Sequence, residues 1–305
     1  MTDIVGKRFW FFLASGIIIL FCIISLANFG LKPGIELSSG SMLTVNFEQT
    51  VTEADLKQEL TSLGYAGAIV QRTGEGNFLI RTGELTGEAK TALEDALRAK
   101  FGPITESEFY SVSPMIARET ARNAGIAIAV AAVGILLYVT WAFRKMPNPF
   151  RYGTCAIIAL GHDALVPLGI FSILGHMLGW EINLMFITGI LAVAGYSVND
   201  TVVVFDRIRE NLTRGISTNF ETVVNISLVE TLSRSLNTSL TTLFVVLALL
   251  LFVGTSIQNF AVVLLVGIVA GTFSSICIAP NLLIVWEKGE WGRLFRRRPL
   301  PAKNQ

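Results

Sequence analysis

The sequence predicts a membrane α-helical protein with six transmembrane helices and one extracytoplasmic α+β domain between the first and second helix. Hydrophobic residues make up 52% of its 305 residues and charged residues 15%, whereas soluble domains carry roughly 25% charge. The apolar residues fall into six long runs, each close to the ~20 residues that cross a bilayer as a helix. A more polar stretch, residues 30–122, separates the first run from the other five. Together these observations predict a polytopic membrane protein.

Residues 1–29 form the predicted cytoplasmic N-terminus and first transmembrane helix. The apolar run extends from Phe9 to Phe29 and follows two basic residues. Small residues at Ser25 and Ala27 resemble a cleavage pattern, so a removable signal peptide is the alternative. The apolar core of a signal peptide covers only about 7–15 residues. Because this run is longer, we expect an uncleaved anchor.

Residues 30–122 contain charges and short apolar runs with the periodicities of a small α+β domain. The predicted elements are a strand over Ser41–Glu48, a helix from Thr52 to Gly64, strands over Ala68–Arg72 and Asn77–Thr82, a helix from Thr86 to Gly102, and a strand over Glu106–Val112. This order is that of the split βαβ, or ferredoxin-like, fold. The stretch contains no nucleophile–base pair and no phosphate loop, which favours a binding or lever module.

Local signals set the ends of these elements. Thr52 and Asp55 resemble a capping box at the start of the first helix, although aspartate replaces the usual glutamate or glutamine. Gly64 suits the left-handed position that follows a helix. Gly74-Glu75-Gly76 predicts a tight turn between the two central strands.

Five further spans form the predicted transmembrane bundle, residues 123–286. They run over about Ala124–Phe143, Thr154–Leu174, Asn183–Phe205, Leu236–Val253 and Phe260–Trp286. In the last of them Gly267 and Gly271 lie about one turn apart, a spacing that lets helix backbones approach closely. Pro280 predicts a kink in the same span.

Basic residues predict the orientation in the membrane. Lysine and arginine concentrate between the second and third spans, between the fourth and fifth, and after the sixth, whereas residues 176–182 and 254–259 contain neither. Because cytoplasmic loops are the basic ones, both termini are predicted to be cytoplasmic and residues 30–122 extracytoplasmic. Residues 287–305 form a basic cytoplasmic tail, whose Arg293–Arg298 cluster we interpret as a topology determinant with modest attraction to anionic lipid.

Composition disfavours several chemistries. The net charge is +1, and no basic patch with interleaved aromatic residues indicates nucleic-acid binding. The cysteines, Cys22, Cys155 and Cys277, lie within apolar runs without metal or redox spacing. His162 and His176 are the two histidines of the chain. We therefore expect neither a metal centre nor another cofactor.

Asn199 and Asp200 lie inside the fourth span, towards its cytoplasmic end. A carboxylate there costs about 2.5–3.5 kcal/mol on insertion scales and normally faces a bundle interior or a wet cavity. On a helix, Asp200 shares one face with Tyr196 and Arg207, and Asn199 shares the adjacent face with Asp206. Asp200 therefore predicts an ion or proton path, with a satisfied packing carboxylate as the alternative.

Two other spans offer polar side chains. Asn237, Thr238 and Thr241 form a polar stripe at the start of the fifth span, so the fourth and fifth spans are expected to face each other. The third span carries His162 and Asp163. Adjacent residues on a helix point about 100° apart, so these two cannot both address one partner directly. They are interpreted as either a relay or packing contacts to neighbouring helices.

These residues resemble a known family. The run Gly195–Asn211, GYSVNDTVVVFDRIREN, is similar to the fourth-span signature of the SecD/SecF family of bacterial export membrane proteins. Arg234–Thr242, His162-Asp163 and Gly271–Ile276 support the resemblance, which covers nearly the whole chain. One segment departs from the family pattern Gly-Ile-Asp-Phe-x-Gly-Gly. Here it reads Gly34-Ile-Glu-Leu-Ser-Ser-Gly40, so that glutamate, leucine and serine replace the aspartate, the phenylalanine and the first glycine of the pair.

The resemblance implies the resistance-nodulation-division superfamily, in which two six-span halves pair around a pseudo-twofold axis and proton flow moves extracytoplasmic domains. It implies a SecD-like six-span partner, the SecYEG channel and SecA, a translocating preprotein as client, and the bacterial cytoplasmic (inner) membrane as location. The implied role is not enzymatic: the proton gradient, without a cofactor, completes preprotein translocation across the membrane or release from it. The proton pathway that the resemblance implies consists of Asp200 as carrier, Arg234 as the positive group that tunes it, and Asp206 and Asn199 as weaker members. His162 and Asp163, interpreted above as a relay or as packing contacts, complete the predicted pathway.

Other functions stay open at this point. A proton-driven exporter half for small solutes or lipids would share the architecture, although such exporters usually hold both halves in one chain with larger external domains. An intramembrane aspartyl protease would need Asp163 and Asp200 at one depth, whereas helical rise places them roughly 7 Å apart in depth. A structural scaffold of an export complex is opposed only by the cost of burying Asp200.

Overall fold

The computed structural model of the chain describes residues 3–72, 76–252 and 257–290, with all side chains in these ranges except those of residues 106 and 107. The chain divides into a membrane unit, Met1–Lys32 with Ala127–Gln305, and an external unit, Pro33–Ile126. The helices are α1 (Arg8–Phe29), α2 (Ile35–Ser38), α3 (Glu53–Ser62), α4 (Gly87–Phe101), α5 (Pro114–Ala142), α6 (Pro149–Leu178), α7 (Leu184–Thr213), α8 (Phe220–Phe252), α9 (Gln258–Cys277) and α10 (Ala279–Lys288). The strands are β1 (Gly40–Phe47), β2 (Ile69–Arg72), β3 (Phe78–Thr82) and β4 (Ile104–Val112). The predicted turn at residues 74–76 lies largely outside the described residues, and the basic Arg293–Arg298 cluster lies wholly outside them.

The external unit has the predicted ferredoxin-like arrangement. Its strands lie in the order β2-β3-β1-β4, and each neighbouring pair is antiparallel. Alternate residues of β1 point inward, where leucines of α3 and α4 cover them. The buried core includes Leu43, Val45 and Phe47 of β1, Leu56 and Leu60 of α3, and Leu93 and Leu97 of α4.

The expected helix ends of this domain are present. The hydroxyl of Thr52 accepts the backbone N–H of Asp55 at 3.2 Å, and that of Thr86 accepts the N–H of Ala89 at 3.3 Å. Asp55 differs from a capping-box residue, because its carboxylate accepts the Thr52 hydroxyl at 2.6 Å. Gly64 and Gly102 have φ of 94° and 87°, the left-handed region in which glycine has no steric penalty.

The short helix α2, which the sequence did not predict, precedes a strained residue. Ser39 follows α2 with φ 69° and ψ 165°, a backbone region that essentially only glycine adopts. Ser39 stands where the resembling family has the first glycine of its glycine pair. The chain therefore keeps the backbone conformation that suits glycine at this position but carries a serine side chain there.

The membrane unit contains the six predicted spans: six helical segments in the described ranges are long and apolar enough to cross a membrane, with α9 and α10 together forming the last. Several helices extend beyond the predicted limits, most clearly α5, which begins at Pro114, and α8, which begins at Phe220. At the predicted cytoplasmic ends of α7 and α8, paired polar groups allow the helices to continue. There the Arg207 guanidinium bonds to Glu230, and the Asn211 amide bonds to Ser227.

The last span is interrupted at one residue beside Pro280, where the kink was predicted. α9 ends at Cys277, α10 begins at Ala279, and Ile278 between them has φ −107° and ψ −63°. The break lies just before Pro280, because a proline ring clashes with the carbonyl four residues earlier and offers no N–H.

The glycines of α9 are needed for its contact with α7, as their spacing predicted. A Cβ on Gly267 would lie 2.2 Å from Val193 Cγ2, and one on Gly271 would lie 3.0 Å from Ser197 Cβ. Gly189 of α7 contacts Val263 of α9 in the same way. Side-chain-free positions on both helices therefore bring α7 and α9 together.

Replacing Ser39 with glycine should stabilise the external unit. Relief of the backbone strain, worth about 1–3 kcal/mol, exceeds the loss of roughly 0.5–1 kcal/mol that glycine causes by loosening the unfolded chain. Hydrogen exchange of the β1 amides in the full-length protein measures the gain. Ser38→Gly is the matched control, because Ser38 is helical and its hydroxyl bonds to the Gly34 carbonyl at 2.9 Å. If the β1 amides of Ser38→Gly exchange as slowly as those of Ser39→Gly, or more slowly, the assignment of strain to Ser39 would be contradicted.

Gly267→Ala should destabilise the membrane unit, because the new Cβ meets the branched Val193 side chain. Overpacking of this kind costs about 1–3 kcal/mol. The temperature of unfolding in detergent should fall for Gly267→Ala and stay equal or rise for Gly134→Ala, where nothing lies within 4 Å of the added Cβ. A similar response of the two variants would show that α7 and α9 are not tightly packed.

Candidate functional site

The predicted polar face of α7 packs against α8 through a ladder of hydrogen bonds. From one end of the ladder to the other, these are Tyr196 to Ser239 at 3.2 Å, Ser235 to Asp200 at 2.7 Å, and Arg207 to Glu230 at 2.7 Å. Each step along α7 is matched by a step backwards along α8, as two antiparallel helices require. The expected contact between the fourth and fifth spans is thus present.

Asp200 occupies the middle of this ladder and is 8% exposed. Its Oδ1 accepts the Ser235 hydroxyl, whereas Oδ2 is buried with no hydrogen-bond partner among the described residues. An ionised oxygen left unpaired in apolar surroundings is costly, and binding a proton removes that charge. The carboxyl group is therefore chemically suited to take up and release a proton.

Arg234, adjacent to Ser235 in sequence, has an exposed side chain. Within the described ranges it forms no ion pair with Asp200, whereas Arg207 pairs with Glu230 and Arg209 pairs with Asp206. Neighbouring residues on a helix point about 100° apart, so α8 directs the Ser235 hydroxyl to Asp200 and Arg234 away from the bundle. A tuning effect of Arg234 stays a prediction.

The predicted stripe on α8 lies on a different face from the one that contacts α7. Asn237, Thr238 and Thr241 are exposed. The hydroxyls of the two threonines donate to carbonyls of their own helix, at 2.6 Å and 3.0 Å. In the same part of α8, the polar residues that contact α7 are Ser235 and Ser239. Their spacing of one helical turn was the signal available in the sequence.

Asn199 and Asp206 do not join Asp200. Both are exposed on α7. Asp206 pairs with Arg209 one turn later, and Asn199 makes no hydrogen bond within the part of the chain that the structure describes. The adjacent face of α7 therefore points out of this chain.

A second buried carboxylate, Asp163 of α6, lies between three helices and is fully buried. Its Oδ2 accepts hydroxyls from Ser197 of α7 and from Ser274 of α9, the latter at 2.7 Å. Its Oδ1 lies 3.0 Å from Nδ1 of His162. The two adjacent residues thus contact each other, and Asp163 alone addresses the neighbouring helices.

Hydroxyls extend this second centre along the interface of α7 and α9. Thr201 and Ser275 are hydrogen-bonded at 2.9 Å, and the Ser275 hydroxyl donates to the Ser197 carbonyl at 3.2 Å. Of these residues, the sequence drew attention to Ser274 and Ser275 only as small residues next to a glycine pair. Ser197 and Thr201, one turn apart on α7, were missed.

The polar groups of the described residues do not form a metal-binding cluster. Among the residues it describes, no cluster of three or more histidine, cysteine or acidic side chains could hold an ion. Cys22 and Cys155 are buried and unbonded to one another, and Cys22 packs against Gly169 of α6. The two buried centres described above are built from hydroxyls, two carboxyls and an imidazole.

Comparisons with known proteins place this geometry in context. Residues 92–289 match the family described as "Protein export membrane protein SecD/SecF, C-terminal", and residues 24–51 match the "SecD/SecF GG Motif". The chain is 46% identical to a protein translocase subunit SecF of Thermobaculum terrenum, over 97% of this chain and 98% of that protein. It is 41% identical to a SecF of Anaerolinea thermophila, over 99% of both chains.

Longer relatives contain a counterpart of this chain as one part of their sequence. A protein translocase subunit SecDF of Bacillus subtilis is 34% identical over 94% of this chain but only 38% of its own length. SecDF from Thermus thermophilus is described as a translocon-associated membrane protein. Its crystal structure superposes on this chain with a TM-score of 0.82 at 31% identity. That match covers 94% of this chain and 39% of the SecDF chain.

Ser235→Ala should destabilise the bundle, because it removes the hydrogen bond to Asp200 and leaves both carboxyl oxygens unpaired. Such an unsatisfied buried group costs about 1–3 kcal/mol, which a lowered unfolding temperature in detergent would report. Thr238→Ala is the matched control, since its exposed hydroxyl bonds only to its own helix, and surface changes usually stay within about 0.5 kcal/mol. Equal losses in the two variants would mean that the Ser235–Asp200 contact contributes nothing specific.

Proposed function

This chain belongs to the SecD/SecF family of protein export membrane proteins, and on that premise we propose that it uses the proton gradient to drive preprotein translocation. In this proposal it completes the passage of a preprotein across the membrane or its release from the membrane, after entry driven by ATP. The observation that carries the proposal is Asp200, a carboxyl group buried between two membrane helices with one oxygen unpaired. Such intramembrane carboxyls commonly mark proton relays.

The gradient supplies enough free energy for a conformational change. One proton crossing the membrane gains about 2.3 kcal/mol per 100 mV, and about 1.4 kcal/mol is already a tenfold change in an equilibrium. Protonation of Asp200 would change the Ser235 contact from a charge-assisted hydrogen bond to a weaker neutral one. Loading and unloading of the proton would then alter how α7 sits against α8.

A SecD-like partner with six spans would complete the motor. SecDF relatives hold the counterpart of this chain within a protein more than twice as long, which is consistent with two halves around a pseudo-twofold axis. The exposed polar side chains within the fourth and fifth spans also suit a protein surface better than lipid, because polar groups in membrane helices are usually paired. These are Asn199, Arg234, Asn237, Thr238 and Thr241.

The remaining assignments follow from the family and from the basic connections. The protein would lie in the bacterial cytoplasmic membrane with both termini in the cytoplasm, beside the SecYEG channel and SecA. Its external unit, Pro33–Ile126, would then act on the preprotein on the far side. Arg144 and Lys145 between α5 and α6, and Arg207, Arg209 and Arg214 at the end of α7 towards α8, support this orientation.

Asp200→Asn tests the proposal, because asparagine keeps the size of the side chain but cannot carry a proton. Reconstituted vesicles with the partner chain, SecYEG and SecA are assayed for preprotein export with and without an imposed proton gradient. Gradient stimulation should fall to the level without a gradient, while complex assembly and ATP-driven entry persist. Glu287→Gln is the control, since Glu287 is an exposed carboxylate that pairs with Arg151, and it should keep the stimulation. Undiminished stimulation in Asp200→Asn would make Asp200 a packing carboxylate and favour a scaffold role.

A further inference from the structure

The membrane unit contains a second unpaired acid–base group besides Asp200. Two buried side-chain atoms, Asp200 Oδ2 and His162 Nε2, lack a hydrogen-bond partner among the described residues and belong to groups that bind and release a proton in ordinary acid–base chemistry. His162 is 7% exposed, and its ring lies 6.2 Å from that of Phe273.

We propose that His162 and Asp163 form a second proton-binding site, whose occupancy controls how firmly α6 is held to α7 and α9. The proposal rests on the proposed function, because it gives the same proton gradient another site in the same bundle. The site is assigned from the contacts of the pair, from its burial and from the unpaired Nε2.

The hydrogen bonds of the pair define its unloaded state. Asp163 accepts two serine hydroxyls at Oδ2, and its Oδ1 lies 3.0 Å from Nδ1 of His162, to which we assign the imidazole hydrogen in the unloaded state. These contacts suit an anionic carboxylate, and they leave Nε2 of the neutral imidazole with a lone pair. The unloaded pair therefore carries one negative charge in the membrane interior.

Uptake of one proton makes the pair neutral. The hydrogen shared by His162 and Asp163 can then reside on Nδ1 or on Oδ1, since two coupled groups titrate as a unit. In both arrangements Nε2 carries a hydrogen. The protonation of Nε2 thus reports occupancy of the site, whichever group holds the shared hydrogen.

Occupancy also changes the contacts between helices. Hydrogen bonds to an ionised carboxylate are roughly twice as strong as those between neutral groups. Ser197 of α7 and Ser274 of α9 both donate to the carboxylate of α6. When the shared hydrogen of the loaded pair is on Oδ1, the carboxyl group is neutral, so both bonds weaken and α6 is held less firmly to the two helices. When it is on Nδ1, the positive imidazolium beside Oδ1 offsets part of the carboxylate charge, and the same bonds weaken to a smaller extent.

Other charges do not compensate the pair. Of the helices that pack against α6, α9 has no lysine, arginine or acidic residue in its described sequence. Arg8 of α1 pairs with Glu221 and Glu290, Arg207 of α7 with Glu210 and Glu230, and Arg151 of α6 with Glu287 of α10. Asp200 is turned to α8, where Ser235 contacts it. The remaining titratable groups on these helices are Lys288 of α10, paired with Glu221; Arg209 of α7, paired with the exposed Asp206; the exposed His176; and the tyrosines and cysteines of α1, α6, α7 and α9.

One helix can respond to both proton sites. Tyr196 and Asp200 on α7 contact α8, while Ser197 and Thr201 contact α6 and α9. The two carboxyl groups thus address different faces of α7. A change of charge at either site alters a hydrogen bond that α7 makes.

Nitrogen-15 NMR of histidine tests the site directly. The chain has two histidines, and His176 is exposed, so full-length His176→Gln protein leaves His162 as the reporter. The histidine-labelled protein in nanodiscs is titrated over the range in which imidazoles change charge, about pH 5 to 8. Nε2 should show the chemical shift of an unprotonated nitrogen at the upper end and of a protonated one at the lower end. An Nε2 that is protonated throughout, or at no pH in the range, overturns the proposal.

Two further variants separate charge from packing. Asp163→Asn removes the negative charge, so the pH dependence of the Nε2 chemical shift should change. Ser274→Ala removes a hydrogen bond from the same carboxylate but keeps the charge, so Nε2 should still change from unprotonated to protonated across the titration. The same altered Nε2 response in both variants would show a general disturbance and overturn the pairing.

The control of helix packing has its own readout. The protection factor of the α9 amides around Ser274, which is the ratio of their intrinsic to their observed exchange rate and so corrects for the intrinsic pH dependence, should fall as Nε2 is protonated, and this fall should be lost in Asp163→Asn. A protection factor that does not follow the protonation of Nε2 would overturn this part of the inference. Neither measurement needs a gradient or a partner chain, so failure of the export assay with Asp200→Asn and failure of this proposal are distinguishable.

Discussion

A carboxyl group inside a membrane helix must obtain its hydrogen bonds from neighbouring helices, and this requirement organises the bundle. Asp163 and Asp200 lie on adjacent helices, α6 and α7, and each is served by serine hydroxyls from other helices. Three hydrogen bonds satisfy Asp163, whereas one serves Asp200. Because an unpaired buried charge is costly, the two groups differ in how easily their contacts tolerate a change of protonation.

Short polar side chains can serve these carboxyls only because the helices are close together. The serine hydroxyl oxygen is only two bonds from the backbone Cα, so it bridges two helices only where their backbones lie close together. Gly271 of α9 allows this approach beside Ser197 of α7, whose hydroxyl reaches Asp163. The glycines that allow α7 and α9 to approach and the serine hydroxyls next to them therefore act together.

The cytoplasmic ends of the helices, as predicted from the basic connections, are fixed differently from their interiors. Arg207 binds Glu230 and Glu210, and Asn211 adds bonds to Ser227 and Glu230. Several charged contacts therefore set the register of α7 against α8 at this end, while the span interior holds them through Ser235 and Ser239. Such a distribution is consistent with a fixed end and a responsive centre.

The sequence by itself determined the six spans, the order of elements in the external unit, the glycine contact of the last span and the presence of Asp200 in the membrane. These follow from hydrophobic period, capping residues and composition, which are local properties of the chain. Tertiary structure decided which hydroxyls meet the carboxyls. Ser235 rather than Arg234, Thr238 or Thr241 faces Asp200, because rotation of α8 about its axis depends on packing against α7 and α9. Likewise, Ser197 and Ser274 converge on Asp163 although they are distant in sequence, and no local pattern specifies contacts among three helices.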